Sequence, residues 1–433
     1  MASHSLFILL LSLMITSLCG VIASQASAQD ANYDESKIPP YELPELLVTS
    51  QGKPVQTIEQ WETVRRPELL ELFAREMYGR SPERPPSLRH KVTSYDEQVL
   101  DGQAIRQQVT IYFSDDDDGP QMDLLIYSPQ ATAQSAVPAF LTLNFYGNHT
   151  ISDDPGIHIN PRWMRNSKEK GVVDNHATEA SRGVSKSRWA VEEILKRGYA
   201  LVTIYYGDID PDFDDGFQNG VHPLSYRDGQ ERPGPDEWGS IAAWAWGLSC
   251  ALDYLETNPH IDAERVAVMG HSRLGKTSLW AGATDPRFAL VISNDSGCGG
   301  AALSRRRIGE TVQQINTSFP HWFCDNFLKY NGKEDDLPID QHQLIALIAP
   351  RPVYVASAVE DRWADPRGEF LSNLHASPVY DLYQLPSLTG KTMPEVDQPL
   401  HTTQGYHVRS GEHDVTDFDW DQYLDFADRH LRR

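Results

Sequence analysis

The sequence is poor in cysteine and in positive charge. Cysteine occurs only as Cys19, Cys250, Cys298 and Cys324 among 433 residues, with no C-x-x-C spacing. That excludes a dense disulfide scaffold and a cysteine-based zinc site. Lys and Arg number 38 against 61 Asp and Glu, a net charge of -23. So negative a surface repels phosphate backbones and anionic bilayers, which excludes nucleic acid and acidic membrane surfaces as partners. No internal repeat or low-complexity tract is present, and no apolar run is long enough to span a bilayer comfortably. What remains is 40% hydrophobic and 10% aromatic, the composition of a globular chain with a large core.

The N-terminus reads as an address label. Leu6 to Leu18 is apolar except for Ser12, Thr16 and Ser17, and Ala26-Ser27-Ala28 follows as a small-x-small cleavage signal. Residues 1–28 are therefore expected to be a signal peptide, with a mature start at Gln29 and a secreted or periplasmic product. Three cysteines then remain, enough for at most one internal disulfide. Residues 29–433 are expected to form one domain, with 29–100 as an N-terminal wrapping extension whose first part is polar and proline-bearing.

Helical apolar spacing from Trp61 to Tyr78 puts Leu69, Leu70, Leu72, Phe73 and Met77 on one face. Val109–Phe113 and Met122–Tyr127 read as strands around a solvated acidic turn, Asp115 to Asp118. Further on, 139–144, 200–205, 266–269, 289–293 and 353–357 are short apolar runs without strict alternation, as in parallel strands covered on both faces. Helical stretches separate several of them: 189–196, 241–255 and 274–283. Strand alternating with helix predicts a doubly wound, mostly parallel sheet with helices on both faces.

Within that pattern, Val266-Ala-Val-Met-Gly-His-Ser272 runs from strand into glycine, one residue, serine and then helix. This is the layout of a nucleophile elbow, in which a sharp turn lifts the serine above the sheet and a helix N-terminus stands behind it. The second glycine falls at Gly275, one place later than in G-x-S-x-G. In this order of elements the acid and then the histidine follow the serine. His413, in Gly411-Glu-His-Asp414 just before the amphipathic segment 420–431, is the chosen base over His401, His407 and His430. Asp361 and Asp295, each after a strand, are the candidate acids. The acidic loop carrying Asp208, Asp210, Asp212, Asp214 and Asp215 lacks the glycine and glutamate spacing of an EF-hand and reads as a solvated or substrate loop. No metal or other cofactor is expected. Trp238, Trp244 and Trp246 read as core, and Phe145 and Tyr146 as walls of the site.

Several ordered motifs together resemble the bacterial glucuronoyl esterases of carbohydrate esterase family 15. They are Gly270-His-Ser-Arg-Leu-Gly-Lys276, Asp295-Ser-Gly-Cys-Gly-Gly-Ala301, Gly309-Glu-Thr311, Phe319-Pro-His-Trp-Phe323, Asp361-Arg-Trp-Ala-Asp-Pro-Arg-Gly-Glu369 and His413-Asp414. The resemblance runs from about Asn144 to the C-terminus and accounts for the displaced glycine. It implies an α/β-hydrolase fold, with Ser272 as nucleophile, His413 as base and Arg273 as oxyanion stabiliser. It further implies Lys276 and Glu310 as ligands for sugar hydroxyls and Trp363 as a sugar-contacting aromatic. Asp295 stands where the family commonly has glutamate, which favours Asp361 as the triad acid. His271 occupies the place of the cysteine that fungal members carry.

The implied substrate is the ester between glucuronic acid on xylan and a lignin alcohol, cleaved through a glucuronoyl-enzyme by a monomer that has no membrane contact after leader removal. Another serine esterase of the same fold, such as an acetyl xylan esterase, a serine peptidase, and a non-catalytic carbohydrate-binding relative are the competing expectations.

Overall fold

The computed structural model describes residues 31–85, 88–130, 135–390 and 392–432. The leader expected over residues 1–28 lies outside them. The frame is a ten-stranded mixed sheet. In chain order its strands are β1 (Arg89–Val99), β2 (Ala104–Tyr112), β3 (Gln121–Pro129), β4 (Val137–Asn144) and β5 (Ala200–Tyr205). The second half supplies β6 (Ile261–His271), β7 (Leu290–Asn294), β8 (Val353–Ala358), β9 (Leu400–His401) and β10 (Gln404–Arg409). Across the sheet the order is β1-β2-β3-β5-β4-β6-β7-β8-β10-β9. From β5 through β10 every neighbouring pair is parallel, while β1 to β3 and the short β9 are antiparallel.

The apolar runs explain the middle of that order. Every residue of β5, β7 and β8 is buried, as parallel strands covered on both sides must be. One face is covered by α2 (Ser240–Leu255), α3 (Arg273–Thr284) and α4 (Pro366–Leu382), through residues such as Trp244, Leu279 and Phe370. The opposite face is covered by α1 (Val191–Lys196) and α5 (Asp417–Leu431), through Ile194, Trp420 and Tyr423. The fold is that of an α/β hydrolase, with helices on both faces as the alternation of strand and helix predicts.

Local differences have physical causes. β1 is absent from the sequence reading because it is an edge strand, exposed along most of its length, so it carries no apolar signal. The segment 58–78 is helical but widens into π turns at Trp61–Arg65 and Ala74–Tyr78; Leu69, Phe73 and Met77 are buried while Leu70 and Leu72 are half-buried against the core. Asp115 to Asp118 are exposed in the β2–β3 turn. The acidic loop after β5 departs most from expectation: Asp208, Asp210 and Asp212 are buried. Asp210 accepts a hydrogen bond from Ser240 at 2.5 Å and lies 3.2 Å from His222 Nδ1, so it ties the loop to the start of α2. Trp238, Trp244 and Trp246 are buried, and Cys250, Cys298 and Cys324 are free thiols in the interior.

Candidate active site

β6 ends at His271, and α3 begins at Arg273. Between them Ser272 holds φ 58° and ψ -127°, a conformation that costs a non-glycine residue about 1–3 kcal/mol and persists only where its surroundings enforce it. Those surroundings are visible. Ser272 N–H donates to Asn294 O at 2.8 Å, and Ser272 O accepts from Gly275 N–H at 2.9 Å. A Cβ on Gly270 would fall 1.8 Å from Leu274 O, so only glycine lets the chain turn back there. On Gly275 a Cβ would meet Ser296 Cβ at 2.9 Å. The displaced second glycine thus lets α3 approach the loop after β7.

His413 lies in the loop between β10 and α5, its Nδ1 2.6 Å from Asp361 Oδ2. Asp361 follows β8 and is buried, whereas His413 is open to solvent. With Nδ1 committed to the carboxylate, Nε2 is the nitrogen left for proton transfer. The His413 ring centroid is 4.5 Å from that of His271, the residue preceding Ser272, so His413 stands beside the Ser272 turn.

His271 is buried, and its Nδ1 lies 2.6 Å from Asn294 Oδ1. Burial, followed by the proximity of His413, holds this imidazole well below its ordinary pKa and therefore neutral.

Asp295 is close by but bonded differently. One ligand atom from each of Asp295, Asp361 and His413 falls within 4.8 Å of the others. Yet among the described residues neither Asp295 carboxylate oxygen has a hydrogen-bond donor, and the facing charge is Arg409 Nη2 at 3.5 Å. Burial, reinforced by Glu369 and Asp361, pushes the Asp295 carboxyl well above the usual range.

The other histidines serve elsewhere. His407 is buried between Asp419 and Tyr354, each at 2.9 Å, and His430 Nε2 lies 3.1 Å from Thr402 O. His401 packs beside Tyr354 and Phe426.

Arg273 lies over the Trp322 ring at 4.8 Å, with Phe145 and Phe319 at 5.5 and 5.6 Å. Its Nη1 donates to Asp212, and its buried Nε has no hydrogen-bond partner among the described residues. Asp212 also accepts from Trp322 Nε1 at 2.7 Å and Tyr206 OH at 2.8 Å, and lies 2.9 Å from His321 Nε2. Burial alone would push this carboxyl up, but the hydrogen bonds from His321 and Trp322 and the Arg273 charge hold it below the usual carboxylate range.

Lys276 is buried beneath the same shelf, its Nζ 5.8 Å from the Trp322 centroid and donating to Ser296 O. Burial lowers the Lys276 pKa, opposed by the charge of Glu310. Glu310 N–H donates to Trp363 O at 3.0 Å, which puts Glu310 beside Trp363. The side chains proposed from sequence to contact sugar therefore gather around the loops after β7 and β8.

Three supports escaped the sequence reading, those of Asp212 and Glu369 because they join residues remote in the chain and that of Arg409 because its partners are backbone carbonyls. Asp212 anchors Arg273. Arg409 donates to the carbonyls of Glu412 at 2.9 Å and Asp414 at 2.6 Å, gripping the chain on both sides of His413. Glu369, quoted only as part of a motif, accepts the N–H groups of Ser296 and Gly297 at 2.8 and 2.9 Å and pins the Asp295 loop.

A glucuronoyl esterase from Solibacter usitatus superimposes on this fold with a TM-score of 0.87 at 49% identity, covering 91% of this chain and 99% of that one. A carbohydrate esterase of an unknown prokaryotic organism is 54% identical over 406 residues, 94% of this chain and 93% of that protein. The chain belongs to carbohydrate esterase family 15, the glucuronoyl esterases. The family description "Glucuronyl esterase, fungi" matches residues 233–383. A 4-O-methyl-glucuronoyl methylesterase of Wolfiporia cocos is 37% identical over 160 residues, 35% of this chain and 39% of that one. As a glucuronoyl esterase, this chain thus shares with the fungal pattern the stretch holding Ser272, Asp295, Glu310, Asp361 and Trp363, which ends before His413.

Proposed function

We propose that this family 15 member hydrolyses the ester between the carboxyl of a glucuronic acid on xylan and a lignin alcohol, acting as a monomer outside the cytoplasm. The observation that carries the reading is the His413–Asp361 bond on the rim of the strained Ser272 turn. Ser272 Oγ attacks the ester carbonyl while His413 Nε2 takes its proton. The tetrahedral oxyanion faces the Arg273 guanidinium, and collapse returns the proton to the departing alcohol. Water then attacks the glucuronoyl-Ser272 ester with His413 again as base, releasing the uronic acid. Asp361 holds the imidazole in the required tautomer and stabilises its cation. Lys276, Glu310 and Trp363 are assigned to the sugar, whose hydroxyls a polar site can discriminate strongly.

Release of benzyl alcohol from benzyl glucuronate tests the reading. Wild type is expected to turn over this ester and Ser272→Ala to abolish turnover. Hydrolysis of acetylated xylan with none of the uronate ester would favour a different serine esterase. Turnover surviving Ser272→Ala would exclude the proposed nucleophile. Export rests on the leader read over residues 1–28; recovery outside the cytoplasm of a chain starting at Gln29 tests it.

A further inference from the structure

Residues 32–37 are polar and mostly exposed, yet they bond to the two loops that carry Glu310 and Trp363. Asn32 O accepts from Gly309 N–H at 2.9 Å. Gly309 holds φ +62°, and a Cβ there would fall 2.2 Å from Trp363 O, so it is wedged between the N-terminal segment and the Trp363 loop. Tyr33 lies under the Arg362 guanidinium at 5.0 Å, and its carbonyl accepts from Arg362 Nη2. Glu35 accepts from buried Arg306 at 2.5 Å and lies 3.5 Å from Arg367 Nη1. Arg306 in turn donates to Asp365 at 2.8 Å, whose carboxylate caps α4 through Gly368 N–H at 2.9 Å. A short segment therefore fastens loop 304–310 to loop 361–367. None of residues 31–37 is fully buried, so hydrogen bonds, an ion pair and a cation–ring contact hold the segment in place.

We infer that Asn32–Lys37 is a strap that sets substrate affinity by holding Glu310 and Trp363 at their spacing. Tyr33 and Glu35 act as positioning residues that touch no substrate. The inference rests on the assignment of Glu310 and Trp363 to the sugar. Releasing the strap leaves Gly309 N–H without its acceptor and Arg306 with Asp365 alone, which loosens Gly309–Glu310 and Arg362–Trp363, while Asp361 keeps its N–H bond to Ala358 O at 3.1 Å and its bond to His413 at 2.6 Å. The cost therefore falls on KM more than on kcat.

Steady-state kinetics of the full chain on benzyl glucuronate decide the matter, with Trp363→Ala as a direct probe of the sugar contact. Tyr33→Ala and Glu35→Ala are each expected to raise KM about 3- to 10-fold while kcat stays within about twofold. Tyr33→Phe keeps the ring and restores the wild-type KM. A raised KM in Trp363→Ala with unchanged KM in both strap variants would overturn the strap alone. Unchanged KM in Trp363→Ala would remove the sugar assignment, and the strap's role with it. A fall in kcat matching the rise in KM would mean the segment supports the fold and not affinity.

Discussion

Asp361 Oδ2 sits 2.6 Å from His413 Nδ1, while neither oxygen of Asp295 has a hydrogen-bond donor among the described residues. The two carboxylates are neighbours with unequal bonding, which predicts unequal tasks. Asp361→Asn keeps the shape but loses the charge and the selected tautomer. Its kcat on a uronate ester is expected to fall by about three to four orders of magnitude. Asp295→Asn is expected to cost less than about tenfold, because Arg409 answers its charge and no bond to the imidazole is lost. Comparable losses in both variants would show a shared role.

Removing the Arg273 guanidinium takes away a donor worth ~3 kcal/mol to an oxyanion, so Arg273→Ala should slow turnover about 100-fold or more. Asp212→Asn leaves that guanidinium present but without its anchor. An intermediate loss in kcat, with a smaller change in KM, is expected from the same assay.

Asp212 also has a signature in stability. Its folded pKa is depressed, so its contribution is fully present above the ordinary carboxylate pKa. That contribution is lost as pH falls through that value toward the folded one. Urea unfolding at a series of acidic pH values should show wild type and Asp212→Asn converging as pH drops. A constant gap would contradict the linkage.

Glu369 predicts the opposite slope. Burial pushes its carboxyl from 4.5 up to about 8, so its contribution is complete below pH 4.5 and fades as pH rises through about 8. Glu369→Gln removes that titration and retains oxygen acceptors for Ser296 and Gly297. Its stability should change less with pH over this window than that of wild type, as measured by denaturant midpoints.

Gly270→Ala would drive a Cβ into Leu274 O. A loss of about 3 kcal/mol in unfolding free energy is expected, in the range of other overpacked sites.

The sheet was legible where burial is two-sided. Ala200–Tyr205 appears with the bounds its apolar run suggests, because nothing but a covered strand suits six such residues in a row. The elbow was legible because strand, glycine, serine and helix are adjacent in sequence, and Phe145 as a wall because it follows a central strand. β1 was silent, being polar at an edge, and α4 was obscured by Pro378 within it. Asp212 read as part of a solvated or substrate loop because the partners that bury it, His321 and Trp322, lie more than a hundred residues further along. Contacts at such range leave no local pattern. Arg409 was silent for another reason: its partners, though near in sequence, are backbone carbonyls that any residue could supply.

His413 exposes 42% of its side chain, although its partner Asp361 is nearly covered. An ester fixed within a wall polymer, the substrate proposed above, cannot diffuse into a deep chamber or rotate to present its bond. The proposed base, standing at the skin of the protein, would let the enzyme go to such a bond instead, and let the severed alcohol stay attached to whatever mass lies behind it.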